Sequence, residues 1–371
     1  MKLNADFLPR TPWAREEPPE EVHPGPEEVP FIRRKPDVEA VMRVAEEALS
    51  QVEPKNLIVA GHGGSITTFK GIHSSLVEYR DSPQVFFVDT VDRRWLDLVK
   101  RRAGKRESLL VIVSKSGRTQ TLLEAVQSLR GYPTVVVTQP TKSPLREMAE
   151  REGWPLLDHP PDVDGRFSGG FEPALLPAFL SGIDLQKYLE GIGEGYGEWF
   201  GPEKELYELS WRFYLWEKAG REILYVPIYS KGLSGFSHLI TQLIHESTGK
   251  EGRGMTVLVA EGPECQHHTN QRVLGGRGNI YAVFTIPGED GPLRWEAEGA
   301  MESFREAGIP YLIQEYEEID ERSVGRFVAF WHIFTLYSAL LRGLPPFGQP
   351  EVERAKEHSR RIRQRKGAKS S

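Results

Sequence analysis

The chain has 371 residues, a formal net charge of −6 and a single cysteine, Cys265. That length exceeds what one hydrophobic core supports, so two domains are expected. The weak acidic balance argues against a nucleic-acid partner, and one cysteine excludes an internal disulfide and fits a reducing compartment, the cytoplasm.

The opening Met1 to Arg10 lacks the apolar core and small-residue cleavage site of a secretory signal, so export is not expected. Pro9 to Pro36 is Pro-rich and acidic (Glu16, Glu17, Glu20, Glu21, Glu27, Glu28) and has no period, which reads as a segment wrapping a surface or staying mobile. From Asp37 the pattern becomes regular. Val38, Val41, Met42, Ala45 and Leu49 share one helical face, and the apolar run Leu57 to Ala60 follows. Further runs at Val85 to Val88, Leu109 to Val113 and Thr134 to Val137 alternate with helical patterns, the signature of a parallel sheet covered on both faces. After a Gly-rich stretch with a helical patch at Ala174 to Ile183, a second cycle runs through Ile223 to Val226, Val257 to Val259, Ile280 to Phe284 and Tyr311 to Ile313. Phe327 to Leu341, too short for the roughly 18 residues of a membrane helix, is expected to be a buried helix, and no membrane association is expected. The fold class is therefore α/β with two doubly wound parallel-sheet domains and helices on both faces. The divisions are an arm over 1–36, a first unit over 37–184, a second over 185–345 and a C-terminal helical tail over 346–371. That tail carries Arg360, Arg361, Arg363, Arg365, Lys366 and Lys369, a solvated charge run.

Two strand-to-helix turns of the first unit suit an anion. Gly61-His62-Gly63-Gly64-Ser65 and Ser114-Lys115-Ser116-Gly117-Arg118-Thr119 offer backbone N–H groups, hydroxyls and helix starts, and neighbouring strand ends of an open parallel sheet meet at a crevice. Phosphate is the natural ligand, although each turn alone reads equally well as a tight turn with an N-cap. Ile66 stands where the dinucleotide fingerprint needs glycine and there is no P-loop motif, so no nucleotide cofactor is expected. Cys265, His267 and His268 have no second ligand cluster beside them, so no metal is expected. Tyr229 to Gly235 loosely echoes the first turn, which suggests a duplicated unit. Glu246 ends an amphipathic helix bearing Leu239, Ile240, Leu243 and Ile244, with Gly249 as the stop. Desolvation and the helix dipole there would raise its pKa and make it a candidate base; the plain alternative is a helix-end glutamate.

Taken together, Gly61 to Ser65, Ser114 to Thr119, Gly165-Arg166-Phe167-Ser168, Gln242 with Glu246-Ser247-Thr248-Gly249-Lys250, Gln266-His267, and Phe347-Gly348-Gln349 with Lys356 resemble the phosphoglucose isomerase family, in the same order. The resemblance runs from about Asp37 to Lys356. It implies paired sugar-isomerase (SIS) domains and a cofactor-free aldose–ketose isomerase acting on glucose 6-phosphate and fructose 6-phosphate through a cis-enediol. Glu246 matches the family base, His267 the ring-opening histidine, Lys356 a lysine contacting the sugar ring, and Arg166 the arginine that stabilises the enediolate. Gly64, Ser65, Ser114, Lys115, Ser116, Thr119 and Gln242 match phosphate-site positions, with Gln349 near the same pocket. A homodimer is implied, His267 reaching the site of the neighbouring subunit. His62, Arg118, Thr121 and Glu351 depart from the family pattern. Arg118 is expected to add a charge-assisted contact to the phosphate. Two rival readings stand beside this one: an isomerase of another sugar phosphate, such as one that also accepts mannose 6-phosphate, and a non-catalytic sugar-phosphate-binding regulator.

Overall fold

The structure is a computed structural model and describes residues 1–9, 11 and 17–367. Glu16 of the acidic arm and Lys369 of the basic tail lie outside the described residues. In chain order the elements are β1 (Lys2–Asn4), α1 (Pro30–Arg33), α2 (Val38–Leu49), β2 (Asn56–Gly61), α3 (Thr67–Ser75), β3 (Gln84–Val88), α4 (Arg93–Arg102), β4 (Ser108–Ser114), α5 (Gln120–Ser128), β5 (Thr134–Thr138), α6 (Pro144–Glu152), β6 (Leu156–Asp158) and α7 (Glu172–Leu180). They continue as α8 (Leu185–Trp199), α9 (Glu205–Lys218), β7 (Ile223–Ile228), α10 (Ser237–Thr248), β8 (Thr256–Glu261), α11 (Thr269–Gly275), β9 (Ile280–Pro287), α12 (Pro292–Glu306), β10 (Tyr311–Tyr316), α13 (Glu321–Leu340) and α14 (Pro350–Gly367).

The first sheet has the order β3-β2-β4-β5-β6 and is parallel throughout. Alternate residues of its central strands face different cores: Leu57, Val59, Leu109 and Val111 on one side, Ile58, Ala60, Leu110 and Ile112 on the other. Both faces are therefore helix-covered, as continuous apolar strands require. The second sheet has the order β1-β10-β9-β7-β8. Read from β8, its four parallel strands repeat the order of the first four strands of the first sheet, which bears out the echo between the two turns.

The fifth position of the second sheet is taken by β1, antiparallel to β10 with Leu3 opposite Gln314. The arm read as lacking secondary structure thus supplies an edge strand, whose three residues are too few to show a period of two. The rest of the arm is anchored by buried Val29 and Phe31. The His23 and Phe200 rings meet at a tilt of 48° with centroids 4.8 Å apart, and the Trp216 indole donates to the Pro9 carbonyl at 2.9 Å.

Helix α13 is buried along almost its whole length, in accord with its apolar sequence. It contains His332, whose Nδ1 lies 2.7 Å from the Tyr196 hydroxyl. Burial pushes that imidazole down to about 3, so it is neutral in the core.

In an open α/β sheet of this order the ligand crevice lies where successive connections diverge, here between β2 and β4. At the equivalent end of the second sheet, α3 packs against the turn after β7 and leaves a cavity of about 360 Å³ lined by Ser75, Ser230, Lys231 and Tyr316. Phe236, in the turn after β7, packs so closely on Gly71 that a Cβ there would fall 2.1 Å from the ring.

Candidate active site

The two turns at the ends of β2 and β4 lie where the sequence places them. Gly63–Ser65 forms a 3-10 turn after β2, and Thr119 is the N-cap residue of α5. Among the described residues the hydroxyls of Ser65 and Thr119 carry no hydrogen bond. Ser114 and Ser116 instead brace their own loop: Ser114 Oγ accepts from Gly117 N at 3.2 Å and Ser116 Oγ from Arg118 N at 3.3 Å. Lys115 reaches sideways, its Nζ donating to the Val163 carbonyl at 2.9 Å and lying 3.6 Å from Asp164. Arg118 does not turn to the cradle as expected; its guanidinium donates to the Lys142 carbonyl at 2.5 Å, an acceptor fixed at the start of the next helical segment.

Gly64 is required by close approach. A Cβ there would sit 2.3 Å from the backbone N of Arg166, so the β2 turn and the Gly165–Gly170 turn can touch only because that side chain is absent. This contact carries Arg166 into the crevice wall, where it is 1% exposed. All five of its N–H groups find acceptors. Nε donates to Ser247 Oγ (3.0 Å), Nη1 to Glu246 Oε2 (3.2 Å) and Gln349 Oε1 (3.0 Å), and Nη2 to the carbonyls of Pro346 (2.7 Å) and Gly348 (3.2 Å). Burial lowers the guanidinium's pKa, and the carboxylates of Asp164 and Glu246 oppose this only in part.

Glu246 lies in the last turn of α10, as its sequence position implies. Its other oxygen accepts from Gln242 Nε2 at 3.0 Å, one helical turn earlier on the same face, and Gln242 Oε1 accepts from Thr67 at 3.2 Å. A continuous chain therefore runs Thr67, Gln242, Glu246, Arg166, Gln349, linking both sheets' helices. Behind it Lys250, 8% exposed, donates to the carbonyls of Pro345 and Phe347. Desolvation, with the Arg166 charge adding to it, lowers Lys250 to about 8. Asp164 completes the clamp, accepting from the Gly348 amide at 2.7 Å. A fixed carboxylate flanked by an amide and a guanidinium, a few residues from an anion cradle, is equipped to move a proton on a substrate held by its anionic end.

Two sequence-based candidates stand apart from this cluster. His267 is exposed at the end of the Glu264–His267 turn, pinned beneath by buried Cys265 and by Gln266, whose amide donates to Tyr229 Oη at 2.9 Å. Among the described residues no hydrogen bond or ion pair joins it to Glu246, Arg166 or the two turns. Lys356 is exposed on α14 and pairs with Glu353 at 2.6 Å. Its charge is among the smaller influences that lower His62, and Arg363 fastens α14 to Glu124 of α5 at 3.0 Å. Among the described residues no three side chains are grouped to hold a metal ion.

Thr67, Asp164 and Lys250 were not assigned roles from sequence. Asp164 directly precedes a matched motif and Lys250 closes another, and that placement was the available signal. Thr67, early in α3, had none.

No protein-family model matches the chain. It is 28% identical over 347 residues to the glucose-6-phosphate isomerase of Desulfitobacterium hafniense, covering 82% of this chain and 64% of that protein. It is 25% identical to that of Enterococcus faecalis (87% and 83% covered) and 24% to that of Methanocaldococcus jannaschii (82% and 83%). The chain is similar to glucose-6-phosphate isomerases over most of its length. It spans under two thirds of the Desulfitobacterium protein. Among solved structures, a hypothetical protein of Thermus thermophilus superposes with a TM-score of 0.81 at 25% identity, covering 88% of each chain. A glucose-6-phosphate isomerase of Chlamydia trachomatis superposes with a TM-score of 0.74 at 21% identity, covering 88% of this chain and 73% of that one, and so shares the fold.

Proposed function

We propose that this chain is an isomerase interconverting glucose 6-phosphate and fructose 6-phosphate. The observation that carries the proposal is the Gln242–Glu246–Arg166–Gln349 chain beside the two turns after β2 and β4. In this reading the turns hold the phosphate through Gly64, Ser65 and Thr119, with Ser114, Lys115 and Ser116 stiffening them. Glu246 takes the proton from C2 of the open-chain aldose and returns it to C1, the hydroxyl proton passing from O2 to O1, so that a cis-enediol is formed and consumed without net change in atoms. Arg166, whose N–H groups are all committed, counters the enediolate through its charge and holds Glu246 and Gln349 in place.

His267, joined to Glu246 by no hydrogen bond or ion pair among the described residues, serves the site of a second copy, so the active species is a homodimer with shared sites. Lys356 meets the sugar when α14 lies on the crevice. The same reading keeps the division into an arm, two sugar-isomerase domains and a helical tail, needs no cofactor, and places the protein in the cytoplasm. The likeness to glucose-6-phosphate isomerases supports the substrate pair. Among the described residues no helix is long and apolar enough to cross a membrane. A non-catalytic sugar-phosphate binder would have no use for the buried ion pair on Glu246. A coupled assay supplying fructose 6-phosphate and detecting glucose 6-phosphate tests the proposal: formation of glucose 6-phosphate, lost in Glu246→Gln, supports it, and no product at any concentration refutes it.

A further inference from the structure

The cations around the phosphate cradle are already committed. Lys115 is held by Val163 and Asp164, Arg118 by the Lys142 carbonyl, Lys70 by Asp89 and Lys356 by Glu353. His62 stands between the end of β2 and the Gly63–Ser65 turn. Its Nε2 lies 3.0 Å from Thr121 Oγ1 in the first turn of α5, so the imidazole bridges the elements that carry the two turns. Among the described residues its Nδ1 has no partner.

We propose that His62 takes up a proton from solvent when a phosphomonoester dianion enters the cradle, so that sugar-phosphate binding is coupled to protonation of this residue. The proposal rests on the assignment of the crevice as a phosphate site. In the charged form both ring nitrogens donate, Nε2–H to Thr121 and Nδ1–H to a phosphate oxygen; the proton comes from water and returns there on release. The charged groups facing the ring are Asp89 beyond β3, Lys70 of α3 and Lys356 of α14. In the free protein, burial chiefly, with Lys70 and Lys356 assisting, holds His62 below the ordinary histidine value, while Asp89 opposes them. A bound dianion raises the value. Binding therefore tightens as pH falls through the window between the free and bound values, and is independent of pH above both.

Sulfate, a dianion throughout about pH 6 to 8, tests this without contributing a titration of its own. Calorimetric titration of the full chain with sodium sulfate, in two buffers of different ionisation enthalpy, counts the protons taken up per anion. The wild type is expected to take up a fraction of a proton, and its affinity to weaken about three- to tenfold from about pH 6 to 8, tenfold corresponding to one unit of pKa displacement. His62→Gln, which keeps a polar partner for Thr121 but does not titrate, should bind sulfate with no uptake and a flat profile. Absence of sulfate binding, zero uptake in the wild type, or the same uptake in His62→Gln overturns the proposal. The wild-type proton count decides even if the variant fails to fold. Calorimetry needs no turnover, so a failed isomerase assay would count against the proposed activity alone.

Discussion

Replacing Glu246 by glutamine separates chemistry from architecture, because the surroundings can absorb an amide. The carboxylate accepts from Gln242 Nε2 at 3.0 Å and from Arg166 Nη1 at 3.2 Å, and an amide at that place can accept only one of these bonds. Its oxygen will stay with the guanidinium. Its NH2 then faces the Gln242 NH2 until Gln242 flips, which places the Gln242 oxygen towards the new donor and its nitrogen towards Thr67 Oγ1, a hydroxyl that can accept. Every bond is kept, and what is lost is the charge opposite Arg166, with Asp164 remaining 3.4 Å away as its counter-ion. The difference between a charge-assisted and a neutral hydrogen bond puts the stability cost at about 1–2 kcal/mol. Loss of a proton-transfer group costs about 10²- to 10⁴-fold in kcat. Urea midpoints and the fructose 6-phosphate coupled assay should therefore disagree in scale: a small shift in the first, a collapse of kcat in the second, and KM within about threefold because the cradle is untouched. Activity retained within about tenfold, or KM rising in step with the loss of kcat, would refute the assignment of Glu246 as the base.

Mixing inactive Glu246→Gln and His267→Ala proteins under subunit exchange should recover activity, since a mixed dimer holds one intact site; no recovery despite exchange shown by mass-tagged subunits would exclude a shared site. Lys250, lowered to about 8, binds fewer protons folded than unfolded between that value and its ordinary one near 10.5, so stability relative to Lys250→Met should rise with pH over this window by about 1.4 kcal/mol per unit. Denaturation midpoints of the two proteins that stay parallel from about pH 8 to 10 would contradict this. Arg118→Thr should leave KM for fructose 6-phosphate unchanged at low and high salt, because its guanidinium is turned to the Lys142 carbonyl; a KM that rises only at low salt would restore the phosphate contact expected from sequence.

What could be read from the sequence follows the range of the interactions involved. Gln242 and Glu246 are one helical turn apart, so their shared face was visible in the spacing. The anion turns follow apolar strands directly, and the strands themselves are continuous runs because both their faces are buried. Arg166 was identified, yet its environment was not, since three of its partners belong to residues 346–349 and two of those are backbone carbonyls that no side-chain pattern announces. Lys250 was hidden for the same reason. The short strands β1 and β6, three residues each, carry too little alternation to register, and the first precedes the Pro- and Glu-rich stretch, in residues read only for a secretory signal. Arg118 shows the opposite limit: sequence placed it beside the hydroxyls, but the direction of a long side chain depends on whichever acceptor lies within reach.

The pairing of β1 with β10 also sets a schedule for synthesis. Lys2–Asn4 leave the ribosome about three hundred residues ahead of Tyr311–Tyr316, the strand they border, which at about 5–20 residues per second is a delay of roughly 15–60 s. During that interval the first sheet can complete itself, since β2 to β6 need nothing made later, while the apolar residues of the arm have no edge to join. The second sheet is then finished by strands about three hundred residues apart in the chain, so its last hydrogen bonds also fasten the segment carrying β1 against proteolysis.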